Sequence, residues 1–288
     1  MGRHGPLILS ALISLLLTVL LTALYGCGTE LSAEFAAGTE LHAASKTSDT
    51  DAVWFAPNVG SSDMLQLFTS PGGWSKAREK VGVFQFYAQQ LAATDAAGCP
   101  SCGANIRPGL IAAGAFSQLS SWGTRIAFET GAVKHHTCDG EVAAVAAAAI
   151  VDVVLAQGAD VHYIAMDEPY IGGEQVVSGM SCRYTMAQSA AQTARFMRKL
   201  ADLHPSVRVG DIEPFPYYRV AKLQSWTDEL LHNGVTLAFF HLDVDRNALK
   251  GSGIDVAAEL RALSSFFASR GIPFGVIYSG HELDIPKG

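Results

Sequence analysis

Val161-His162-Tyr163-Ile164-Ala165-Met166-Asp167-Glu168-Pro169 is the stretch on which the fold turns. Its first six residues lack the polar-apolar alternation of a strand with one wet face, so it reads as a strand buried on both faces, as parallel sheets require. Two carboxylates follow at once, and Pro169 drives the chain out of regular geometry. Six more runs of this kind flank it, at 53–58, 81–87, 125–129, 207–213, 236–241 and 273–278. Between them lie helical patterns over 141–157, 186–203, 218–232 and 255–269, the first and last followed by the stops Gly158 and Gly271. Such alternation predicts an α/β fold, either a (β/α)8 TIM-type barrel or a doubly wound sheet. No G-x-G-x-x-G follows the first strand and no Walker loop occurs, so the barrel is favoured and no nucleotide cofactor is expected. About seven βα units are present; 280–288 cannot hold an eighth strand with its helices, so the barrel domain, 52–288, is expected to lack its last unit.

Of 288 residues, 49% are apolar and 16% charged, with 20 Lys plus Arg against 27 Asp plus Glu. This composition excludes general disorder, and a net charge of -7 argues against nucleic acid as a partner. Arg3 and His4 precede a nearly unbroken apolar run from Leu7 to Tyr25, the layout of a signal peptide or membrane anchor over 1–26. Leu24-Tyr25-Gly26-Cys27 resembles the bacterial lipobox, which makes Cys27 the candidate for lipidation and the membrane a partner through that lipid or anchor. Residues 27–51, rich in Ser, Thr, Ala and Glu, read as a flexible tether. The protein is therefore expected to be exported, membrane-tethered like a lipoprotein or secreted. The remaining cysteines, Cys99, Cys102, Cys138 and Cys182, are even in number and suggest disulfides, with three pairings open.

In a barrel of this type the site forms at the carboxyl ends of the strands. Here those ends carry Asn58, Glu129, Asp167 with Glu168 and Tyr170, Glu213, His241 with Asp243, and, beyond Tyr278, Glu282. Carboxylates recurring at one end of successive strands are costly without partners or a task, and they are the chief functional signal of the chain.

The Asp167-Glu168-Pro169 segment resembles the barrel glycoside hydrolases of the large retaining clan, in which a fourth-strand motif of Asn-Glu-Pro type carries the acid/base glutamate. The resemblance implies that Glu168 is the acid/base, that Asp167 stands in the family's Asn position near the sugar 2-hydroxyl, and that the nucleophile follows strand seven, at Glu282. Glu213 competes for that role, because Ile212-Glu213-Pro214 repeats the Glu-Pro turn, and Asp243 and Glu129 are further candidates. Retaining enzymes need two carboxyl groups about 5 to 5.5 Å apart, inverting ones about 6.5 to 9.5 Å. The implied activity is hydrolysis of a polysaccharide or oligosaccharide, with Asp167, Asn58, Glu129, Tyr170, His241, Asp243, Tyr278 and Trp54 binding the carbohydrate, the rings against apolar sugar faces. Two other readings are a non-catalytic carbohydrate-binding lipoprotein and a metal-dependent barrel hydrolase with ligands from His135, His136, His241 and Asp243.

Overall fold

Trp54, on the first strand, touches residues of the fourth and sixth: its ring lies 5.1 Å from that of Tyr163, 4.6 Å from Phe239 and 4.8 Å from His241. A flat sheet would hold these strands far apart, at roughly 4.8 Å per strand, so the sheet must curl until its concave face closes on Trp54. In the computed structural model, which describes residues 52–61, 63–92, 106–134, 137–174 and 182–278, that sheet has seven parallel strands in sequential order. They are β1 (Val53–Phe55), β2 (Val81–Tyr87), β3 (Arg125–Thr130), β4 (Val161–Asp167), β5 (Arg208–Phe215), β6 (Phe240–Val244) and β7 (Phe274–Ile277). Helices fill every connection, the longest being Gly140–Leu155, Met186–Leu203, Val220–His232 and Val256–Ser269. This is an α/β fold of the TIM type, as expected.

Alternate strand residues face opposite sides. Val83, Ala127, Tyr163, Ala165, Ile212 and Phe239 form a small cluster on the concave side, with Trp54 and Ile277 packed on it. The larger core lies between sheet and helices and includes Phe84, Phe86, Phe128, Ile164, Phe196, Trp226, Phe240 and Phe267. Each such side chain contributes about 1.5–3 kcal/mol on burial.

Local signals set the helix boundaries. Asp139 accepts from Glu141 N and Val142 N, Asp255 accepts from Ala258 N, and Thr185 and Gln188 form a capping box. The helix read over 186–203 has those limits. Strand β1 stops before Pro57, which has no N–H to give a ladder. Strand β6 lies later than the expected 236–241: Ala238 N and Phe239 O already bond to β5, but pairing with β7 starts only at Phe240 opposite Phe274. His241 therefore sits near the start of its strand, and Asp243 near its end.

Cys138 and Cys182 form a disulfide, which fits folding outside a reducing compartment. Cys27, Cys99 and Cys102, the expected signal or anchor and the tether lie outside the described residues. Among the described residues no helix is long and apolar enough to cross a membrane.

Gly140 lets helices Gly140–Leu155 and Met186–Leu203 approach closely. Its N donates to Gln192 Oε1 at 3.0 Å, and a Cβ there would stand 2.0 Å from the Gln192 carbonyl oxygen. Gly140→Ala should lower unfolding stability by about 1–3 kcal/mol. The exposed Val142→Ala, one turn-start away, should change it by less than about 0.5 kcal/mol in the same urea titration.

Candidate active site

Concave-side parity carried toward the carboxyl ends brings a polar group together. Gln85 and Tyr87 follow Val83 on β2, Glu129 follows Ala127 on β3, Asp167 follows Ala165 on β4, and on β6 His241 and Asp243 continue the parity of Phe239 just before it. These six side chains, with Trp54, Asn58 and Tyr278, are among those lining a cleft of about 1330 Å³. Register puts Tyr87 directly beside Glu129, and Gln85 Nε2 donates to Glu129 Oε2 at 2.9 Å.

A lysine joins this group. Lys134 follows β3 in a tight turn, its N donating to Thr137 O and Thr137 N donating back to Lys134 O. Its Nζ reaches Asp167 Oδ2 at 2.5 Å and lies 3.6 Å from Glu168 Oε2. Burial, followed by the charge of Asp167, pushes the Glu129 carboxyl up to about 8, against the opposing pull of Lys134. Glu129 is therefore protonated at neutral pH. Burial also raises Glu168, and again Lys134 opposes the shift. Tyr87 is pushed up to about 12 by burial and then by Glu129, while burial alone lowers His241 to about 4, leaving a neutral imidazole against Trp54.

Glu168 has φ 52, a left-handed conformation that strains a non-glycine residue by roughly 1–3 kcal/mol. Two bonds hold it there: its N donates to Ile212 O, extending the sheet by one rung, and its O accepts from Gly172 N, starting helix Pro169–Glu174. The side chain is thus aimed by the strand-to-helix junction that Pro169 demands.

Two expected residues face elsewhere. Glu213 has the opposite parity to Ile212 and is fully buried against the helices, where Oε1 accepts from Tyr170 N at 2.6 Å. Tyr170 is stacked on Tyr218 and Trp226, and its hydroxyl donates to Glu174. Neither lines the cleft. Asn58 lines it but also accepts from Gly60 N, tightening its own turn; exposed Tyr278 lies under the Arg246 guanidinium, 3.9 Å away. Glu282, His135 and His136 lie outside the described residues, and among those described no three His, Cys, Asp or Glu side chains are grouped to hold a metal ion. The sequence reading missed Lys134 and Gln85. Strand parity could have found Gln85, whereas nothing local marks Lys134.

No family model and no curated protein matches the chain. Among solved structures it is similar to an aldo/keto reductase from Brucella melitensis, at 13% identity over 81% of this chain and 70% of that one, TM-score 0.46. An L-ribulose 3-epimerase matches at 15% over 81% and 83%, TM-score 0.45. The GH53 catalytic domain of Ignisphaera aggregans matches at 9% over 79% and 80%, TM-score 0.42. At such identities and scores these likenesses assign the chain to none of the three groups. Fold and site together define its class: a TIM-type α/β protein with an acidic cleft at the carboxyl ends of its strands.

Below Glu213 on the same convex face, Asp211 is also fully buried, accepting from Trp226 Nε1 at 2.7 Å; among the described residues Asp211 Oδ1 and Glu213 Oε2 have no hydrogen-bond partner. Burial pushes Asp211 up to about 8, from about 3.9 in an unfolded chain. Between these values the folded protein keeps a proton that the unfolded chain has released, so stability falls as pH rises from about 4 to about 8. The urea midpoint should accordingly be lower at pH 8 than at pH 5, and Asp211→Asn should flatten that slope. Equal slopes in the two proteins would refute the assignment.

Proposed function

We propose that this protein is a glycoside hydrolase acting on a polysaccharide or oligosaccharide by a two-carboxylate mechanism. The observation that carries the reading is the convergence of Glu129, Asp167 and Asp243 on the cleft side of three strands, with Glu168 at the adjoining turn. Glycosidic cleavage needs a carboxyl that stays protonated near neutral pH and a carboxylate beside it. Glu168, raised by burial, donates its proton to the leaving oxygen. Asp243, which lines the cleft and whose charge is felt by Glu168 and Glu129, supplies the second carboxylate. Glu282 is the alternative for that role, and comparing Asp243→Asn with Glu282→Gln decides between them. Protonated Glu129 and Gln85 offer hydrogen bonds to sugar hydroxyls, and the Trp54 and Tyr278 rings offer apolar faces to the sugar.

With the purified protein and a polysaccharide panel, Glu168→Gln should lower kcat by about 10²–10⁴-fold while leaving the circular dichroism spectrum unchanged. Activity retained at the wild-type level would sink the assignment. Because Glu129 must keep its proton to donate, hydrolysis should decline above about pH 8. In Glu129→Gln, where that donor cannot ionise, the remaining alkaline decline should follow the ionisation of Glu168 alone.

The same proposal places the protein outside the cytosol on a lipidated Cys27, a reading supported by the Cys138–Cys182 disulfide. Cys27→Ser should then move the protein from the membrane fraction to the soluble one. Undiminished membrane retention would leave the uncleaved anchor as the attachment.

A further inference from the structure

We infer that Lys134 is a positioning residue for the cleft carboxyl groups, held in place by the Cys138–Cys182 disulfide, so that the acid-base poise of the site depends on the redox state of that bond. The inference rests on the glycoside hydrolase reading only for its effect on catalysis; the geometry stands without it.

Lys134 lies on no strand or helix, and a loop lysine would ordinarily sample many rotamers in water. Three features fix this one. The reciprocal backbone bonds with Thr137 close the turn. Cys138, one residue on, is joined to Cys182, and the two sulfurs sit 3.8 and 3.5 Å from the Lys134 carbonyl oxygen. Disulfide sulfurs carry no hydrogen, so these are packing contacts that wedge the turn from beneath. Finally, Gly172 fits against the turn so closely that a Cβ there would stand 2.5 Å from Val133 O and 2.8 Å from Lys134 Cγ.

The far side of the staple is anchored too. Tyr184 N donates to Gly173 O, and the Tyr184 hydroxyl donates to Cys138 O. The disulfide thereby ties the β3 turn to the chain that leaves helix Pro169–Glu174, the helix whose first turn aims Glu168. Lysine and glutamate are set by one connected frame.

The charged and titratable groups facing Lys134 are Asp167 and Glu168 at the end of β4, Glu129 on β3, and, through those two glutamates, Asp243 on β6. Its ammonium group is in ion-pair contact with Asp167 and Glu168. Removing its charge leaves the carboxyl groups to repel one another, so Glu168 and Glu129 should both hold their protons to higher pH.

The test is a carbon-13 NMR titration of the glutamate carboxyls in the full chain, read beside the pH profile of kcat where a substrate is hydrolysed. In Lys134→Met the Glu168 and Glu129 midpoints should rise by about one pH unit or more, and Lys134→Arg should restore them. Lys134→Gln serves as a second neutral variant if the methionine protein does not fold. Reduction of the wild type with dithiothreitol, and the Cys138→Ser/Cys182→Ser protein, should move both midpoints in the same direction. Midpoints unchanged in the neutral variants would overturn the positioning role, and midpoints unchanged on reduction would overturn the staple. Because titration needs no turnover, a protein that hydrolyses no glycan defeats the enzymatic reading while still deciding this one.

Discussion

The two-residue alternation of a β-strand is the constraint from which both the core and the cleft follow. In seven parallel strands curled around Trp54, each position commits its side chain either to the concave face or to the helical layer, with no intermediate choice. Ile212 and its neighbours show what this means. Ile212 reaches the concave cluster, while Asp211 and Glu213, one step to either side, are sealed beneath the helices at 0% exposure. A shift of one residue in β5 would put two acids into the cleft and an isoleucine among Trp226 and Tyr170. The carboxylates that share one solvent-reachable space, Glu129, Asp167 and Asp243, do so because their strands all present the same parity there.

Much of this order can be read from the chain. Strands buried on both faces are conspicuous as apolar runs, and capping residues such as Thr185 with Gln188 announce helix starts, so the rhythm of the barrel is explicit. The same double burial removes the information that would orient each strand. In β5 a carboxylate on either side of Ile212 looks equivalent from sequence, which is why Ile212-Glu213-Pro214 resembles the turn at Glu168 although its acid faces the other way. Lys134 is hidden for a different reason. Its partners lie 33 and 34 positions further along and are reached only through a disulfide and a glycine contact, which leave no periodic mark. The late start of β6 belongs to the same category, since it depends on where β7 becomes available for pairing.

The chain thus buries acids in two ways. Asp211 and Glu213 meet neutral donors, the Trp226 indole and the Tyr170 amide. There the neutral carboxyl is the stable form, and Glu213 serves to hold the first turn of helix Pro169–Glu174. The cleft acids keep one open side, and Lys134 balances part of their charge. A carboxyl in that setting can change protonation without unfolding its surroundings, because water, a hydroxyl or the ammonium group can answer the new charge.

The two sets are also mechanically joined. Glu213 fixes the amide of Tyr170, two residues past Glu168, while Ile212 O accepts from Glu168 N in the opposite sense of the strand. The strained φ of Glu168 is therefore held from β5 by one backbone bond on its own residue and one sealed carboxyl just beyond it. Strain persists only where the surroundings over-determine it, and here the over-determination comes from an acid sealed away from the cleft. Glu213 is thus better understood as the residue that holds the turn carrying Glu168 than as a group facing the cleft.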